Sequence, residues 1–246
     1  MVFFAAFWLY HGSIALDNVR QGKKVWIKEN SLFYKDGNGQ FDYKCLIGLT
    51  LRAIGSVFAM ATVYFISNAS YEADLSPSIA MSFTSSTMFL VALLFYFLYG
   101  ETLTKRVFIG MFLVLVSILM VSVSKASQTA LPGKEDVGLL TKILPILLAL
   151  FLSCLNTSNN FFVRYLGLRG YSAIRIAVDY LYIYSFFSMS GFLYETFYGT
   201  PYTWPQIYPM LFASACLLIG HSLGNYALKN GNGGMMSAII QLQSLF

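Results

Sequence analysis

Long uncharged apolar runs, separated by short polar and charged segments, make up most of this chain. A membrane helix needs about 20 mostly apolar residues. Such runs fall at 2–16, 45–66, 79–99, 107–124, 143–162, 176–193 and 208–228, and a further run starts at 234 and reaches 246. The first is short, and the last is cut off within its run. Transmembrane strands would show alternation instead of continuous runs. The pattern predicts an all-α polytopic membrane protein with about seven full spans and part of an eighth. The first run has no basic leader and no small-residue cleavage site before the basic stretch that follows, so it reads as a span rather than a signal peptide.

Composition narrows the class further. Only 11% of the 246 residues are charged, while 57% are hydrophobic and 17% aromatic. That is too little charge to cover a soluble surface and too much hydrophobicity for a disordered chain. The loops after the first, third, fifth and seventh runs carry twelve of the sixteen Lys and Arg residues, the other loops three, and Arg52 lies within a run. This asymmetry places the 17–42 loop on the cytoplasmic, or matrix-equivalent, side and Met1 on the other. The net charge of +5 then reads as topology and contact with anionic lipid, not as nucleic-acid binding. The expected partners are the lipid bilayer and a small-molecule solute, with membrane-complex partners or a homodimer left open.

The segment 17–42 reads as one flexible loop. Leu131-Pro132-Gly133 is a turn signal, which divides the chain into halves at 1–124 and 140–246, joined by a linker at 125–139. Cys45, Cys154 and Cys216 have neither disulfide nor metal-ligand spacing and read as buried structural thiols. Asn68-Ala-Ser70 is a sequon close to a span end, and Asn156-Thr-Ser158 falls within a span. Gly231-Asn232-Gly233-Gly234 lacks the Lys-Ser/Thr of a phosphate loop and reads as a turn. No nucleophile-base grouping or zinc spacing is visible. The chain is expected to be no enzyme, with no cofactor and no metal.

Spans two and three pair with spans seven and eight. Ser78, Ser82 and Ser85 follow the same i, i+4, i+7 spacing as Ser237, Gln241 and Ser244. The paired helices are five spans apart, and an odd repeat length inverts one copy across the membrane, a common plan of secondary transporters. Generic packing through small residues is the competing explanation. A sharper signal lies in Ser76-Pro77-Ser78-Ile79-Ala80, which opens an apolar helix ending at Gly100-Glu101-Thr102-Leu103-Thr104, with Gly110 nine residues after Glu101. This resembles the EamA-type family of the drug/metabolite transporter (DMT) superfamily. The segment from Asn225-Tyr226-Ala227-Leu228-Lys229 to Ser237-Ala238-Ile239-Ile240 is similar to the second repeat of that family. The resemblance implies inverted five-helix repeats around a central substrate cavity, and it marks Gly100, Glu101 and Gly110 as the structural family motif. This chain would then hold the equivalents of helices two to five and six to nine, the last truncated.

Ionisable groups within a bilayer are costly and are functional candidates by default. For Arg52, snorkelling to the interface is expected. Asp179 has Arg175 at i−4 on its face, so it reads either as half of a structural pair or as a proton-coupling group. His221, with Asn225 at i+4, is either a packing residue or a protonatable group in the cavity; His11 stays unassigned. Asn156, Asn159 and Asn160 share a face that lipid cannot satisfy. They either bond between helices or wall a cavity with Tyr64, Ser82, Ser85, His221, Asn225 and Gln241. Tyr226 would add to that wall. Such a cavity is polar, aromatic and nearly uncharged, which suits a neutral or zwitterionic metabolite. Glu101 is expected to cap the following helix. The function expected is secondary transport of a small organic metabolite by alternating access. The alternative is a non-transporting membrane subunit or scaffold on a reduced transporter fold.

Overall fold

The chain's apolar runs become helices because a continuous apolar stretch of this length satisfies its backbone only internally. The computed structural model describes residues 2–25, 42–102, 105, 108–113, 116, 120, 139–199 and 202–231. Among them the regular structure is entirely helical: α1 (Val2–Arg20), α2 (Tyr43–Glu72), α3 (Pro77–Ser82), a 3-10 turn (Phe83–Ser86), α4 (Thr87–Tyr99), α5 (Leu139–Leu168), α6 (Ala173–Tyr198) and α7 (Trp204–Asn230). Among the described residues, five stretches are long and apolar enough to cross a membrane, namely Tyr43–Glu72, Pro77–Tyr99, Ile143–Leu168, Ala173–Tyr198 and Trp204–Asn230. These are the dimensions of an integral membrane protein. The expected run at 107–124 is helical at 108–113 and otherwise lies largely outside the described residues, as do 234–246 with Ser237, Gln241 and Ser244, linker residues 125–138, and loop residues 26–41.

Four helix ends have clear local causes. Asp42 caps α2, its Oδ1 accepting from the Cys45 N–H at 3.1 Å. Pro77 opens α3 after extended Ser76, where a missing N–H costs nothing. Ser172 caps α6 by accepting from the Arg175 N–H at 3.2 Å. Gly100 closes α4 in the left-handed region at φ 64°. This gives the glycine of the Gly-Glu-x-Leu-Thr motif a backbone reason. A Cβ at Gly100 would meet no heavy atom, so only the backbone conformation resists substitution. Gly100→Ala is expected to cost about 1–2 kcal/mol, read as a lower midpoint in thermal unfolding of the detergent-solubilised protein.

The fold divides into two units, one of Met1–Ile54 with Phe162–Lys229 and one of Gly55–Phe161 with Asn230–Phe246. Each draws on segments from both sides of the expected linker. The first unit centres on α6, where Ala173 and every residue from Arg175 to Leu181 is buried. This first part of α6 is buried all round and serves as a core segment, whereas the part from Phe186 to Tyr198 is largely exposed. Its apolar core joins Phe3, Cys45, Leu49, Ala53, Leu166, Tyr171, Ile176, Tyr180 and Leu181. Aromatic rings seat α1 on α6: Phe7 stacks on Tyr182 at 3.8 Å, and Phe4 meets Tyr182 and Phe186 edge-on.

The second unit packs Ile66 of α2, Ala80 of α3, and Ala149 and Leu152 of α5. Its helix from Pro77 to Tyr99 is interrupted at Phe83–Ser86. The cause is a run of hydroxyl side chains that bond back to the chain. Ser82 donates to the Ile79 carbonyl, Thr84 to Met81 and Thr87 to Thr84, each at 2.6 Å. Such back-bonding bends helices. Ser153 of α5 docks on the break, accepting from Ser86 Oγ at 2.9 Å and lying 3.2 Å from the Thr84 carbonyl.

Candidate functional site

On α2, Cys45, Leu49, Arg52 and Ala53 are buried at spacings that share one helix face. Arg52 therefore lies on the inward face, and its side chain is only 4% exposed. This corrects the expectation that it snorkels to the interface. The physical reason is capture by two neighbours. Its guanidinium lies over the Tyr180 ring, 4.1 Å from the centroid, a cation–π contact that is strongest when desolvated. Its Nη2 donates to Asn225 Oδ1 at 3.1 Å. Asn225, 2% exposed, in turn aims its Nδ2 at the Ala173 carbonyl, 3.4 Å away. His221, one turn before Asn225 on α7, sets its ring edge against Tyr180 at 5.4 Å. Three helices of the first unit thus bring Arg52, Tyr180, His221 and Asn225 together.

A second cluster lies along α1 and α6. Phe3, Phe7, His11 and Asn18 form the buried stripe of α1. His11 is hydrogen-bonded through Nε2 to Asp179 Oδ1 at 2.8 Å. Arg175 Nε lies 3.8 Å from the other carboxylate oxygen, so the expected i, i+4 pair is present but is the longer of the two contacts. Arg175 also lies over the Tyr171 ring, 5.0 Å from its centroid. Asp179 is the one carboxylate among the buried described residues, whereas both Arg52 and Arg175 are buried cations.

The ends of these helices are tied by further cations. Arg169 pairs with Asp42 at 3.1 Å. Arg164 donates to the carbonyls of Leu228 and Lys229 at the end of α7, a favourable place for positive charge. Lys229 Nζ donates to the Tyr171 carbonyl at 2.7 Å. In that turn between α5 and α6, burial and the neighbouring Cys45 thiol push the Tyr171 phenol above its ordinary range.

The second unit holds the amide and hydroxyl candidates. Asn159 donates through Nδ2 to Ser56 Oγ at 3.2 Å. A Cβ at Gly55 would come within 3.1 Å of its Oδ1, so the absent side chain gives the amide its seat. Ser85 is fully buried, and Ser82, Asn156 and Asn160 are half-buried. Tyr64 and Tyr226 are exposed. Gln241 lies outside the described residues. Glu101 is half-buried beside Gly100, and Gly110 faces open space. Cys45 is buried as expected of a structural thiol, but Cys154 and Cys216 are exposed, because they fall on outward faces of α5 and α7. Among the described residues, no three His, Cys, Asp or Glu side chains gather as metal ligands do.

Sequence reading left His11 without a role and singled out neither Tyr180 nor the interior role of Arg52. The fourfold spacing of Phe3, Phe7 and His11 was an available signal for His11. Nothing local in the sequence singles out Tyr180 among seventeen tyrosines.

Apolar helices of spanning length, with ionisable side chains buried among them, define the class of an integral membrane protein with a polar interior. No family model, curated protein or solved structure matches the chain.

Proposed function

We propose that this protein is a secondary transporter that moves a small organic metabolite by alternating access. The observation that carries the reading is the burial of His11, Arg52, Arg175 and Asp179 among apolar, span-length helices. Charges in that setting are expensive to bury, and they mark solute or ion pathways. The interrupted helix from Pro77 to Tyr99 adds support. A 3-10 stretch within a helix serves as a hinge, and discontinuous helices are a feature of transporters. The proposed architecture is the inverted five-helix repeat of EamA type, on the strength of the Gly100-Glu101 motif and Gly110. The 17–42 loop is proposed to face the cytoplasm. No ATP-binding motif is legible, so a solute gradient, exchange or a proton gradient supplies the drive, with Asp179 and His221 as candidate proton-coupling groups.

The test is uptake of labelled metabolites by proteoliposomes, with and without a pH gradient. Saturable uptake is expected. If protons couple through His221, His221→Ala abolishes the response to the pH gradient while uptake down the solute gradient persists. A non-transporting membrane subunit is the competing reading. It is favoured by α7, whose most apolar window buries none of its residues within the chain. Absence of flux across the panel, with copurification in a stoichiometric complex, would overturn transport in its favour.

A further inference from the structure

The Arg52 guanidinium has more hydrogen-bonding capacity than its surroundings use. It carries five N–H donors. Among the described residues, Nη2 bonds to Asn225, while Nε and Nη1 have no hydrogen-bond partner. Two donor edges exist on a guanidinium, one formed by Nε and Nη2 and one by Nη2 and Nη1. Whichever Nη2 hydrogen Asn225 accepts, one complete two-donor edge is left without an acceptor among the described residues. The side chain is nevertheless 4% exposed, so water from outside does not satisfy it. Around it lie the Tyr180 ring, the uncharged Asn225 amide and the His221 ring. Asp179, the one buried carboxylate described, is bonded to His11 and paired with Arg175. Among the described residues, Arg52 is therefore a buried cation without a counter-charge.

We propose that the open edge of Arg52 is the binding point for the carboxylate of an organic anion, with Asn225 and Tyr180 fixing the guanidinium that receives it. Two parallel N–H···O bonds from a guanidinium edge match the planar carboxylate in shape. One missing unit of negative charge matches a monocarboxylate, which is also the anionic half of a zwitterion. His221, one turn from Asn225 on α7 and edge-on to Tyr180, is the neighbouring polar group for the remainder of the ligand. As the class of transported solute, the assignment rests on the transport reading above. As a binding site, it stands without that reading.

The experiment is calorimetric titration of the full chain in detergent micelles with propionate, pyruvate and benzoate, each beside its uncharged amide. At least one carboxylate is expected to bind, and its amide is expected not to. Arg52→Met should weaken that binding about 100-fold, because the charge-assisted pair is lost. Arg52→Lys keeps the charge but loses the planar edge and should weaken it about tenfold. Arg52→Lys also serves if Arg52→Met fails to give a monodisperse helical protein. Equal binding of acids and amides, no binding of any acid, or binding untouched by both substitutions overturns the proposal. Arg52-dependent binding of inorganic phosphate alone, or of phosphatidylglycerol in nanodiscs alone, also overturns it and gives the edge to a phosphoryl group. Transport and site fail separately. Binding without flux in proteoliposomes removes the transport reading and leaves the site. Flux of a carboxylate that Arg52→Lys and Arg52→Met both leave unchanged removes the site and leaves transport.

Discussion

Asp179→Ala is expected to destabilise the protein by about 3–5 kcal/mol, the usual cost of removing one partner from a buried ion pair. Asp179 is 2% exposed, bonds to His11 at 2.8 Å and faces Arg175 at 3.8 Å. Its loss deletes the one buried carboxylate described while Arg52 and Arg175 stay buried. The loss then reflects uncompensated positive charge more than lost attraction. His11→Leu leaves the carboxylate with Arg175 and removes one charge-assisted hydrogen bond, so it should cost less, about 1.5–3 kcal/mol. Replacing both ends of the longer contact, as Arg175→Met with Asp179→Leu, should recover much of the loss, since a buried pair is often no better than apolar side chains of similar volume. Unfolding of the detergent-solubilised protein in rising SDS reads all three. An Asp179→Ala protein within about 1 kcal/mol of wild type would show that this carboxylate does not neutralise the interior.

Phe7→Ala should be nearly as damaging, at about 3–5 kcal/mol. Phe7 is 3% exposed, stacks on Tyr182 at 3.8 Å and lies 4.6 Å from the His11 ring. Removing it opens a cavity between α1 and α6, and lipid tails cannot restore the lost dispersion contacts within a packed seam. It also loosens the segment that holds His11 against Asp179. Trp8, the adjacent and larger aromatic, is 61% exposed. Trp8→Ala should therefore change stability by no more than about 0.5 kcal/mol. The same SDS titration compares the two, and equal effects would contradict the orientation of α1.

Several helices were legible in the apolar pattern, although their ends were not. The run at 45–66 belongs to a helix from Tyr43 to Glu72, and that at 176–193 to one from Ala173 to Tyr198. The extensions are turns whose backbone bonds continue past the apolar run, reaching a cap at the N-terminal ends in Asp42 and Ser172. The run at 79–99 was continuous in hydropathy but not in geometry. Hydropathy does not register the hydroxyl back-bonding that produces the 3-10 turn at Phe83–Ser86.

The candidate site divides in the same way. The pairing of Asp179 with Arg175 was readable, because four residues along a helix bring side chains to one face. So was the alignment of His221 with Asn225. The sequence by itself determined that the chain is helical and apolar enough for a membrane, and which few polar groups must be explained within it. Only the tertiary structure decided that Arg52 turns inward to Tyr180 and Asn225, and that His11 meets Asp179 across 168 positions of sequence. The reason is physical. A helix's period reveals which face is buried, but the residue opposite that face is chosen by packing between distant segments. The uncompensated charge at Arg52, among the described residues, arises only once that packing is complete.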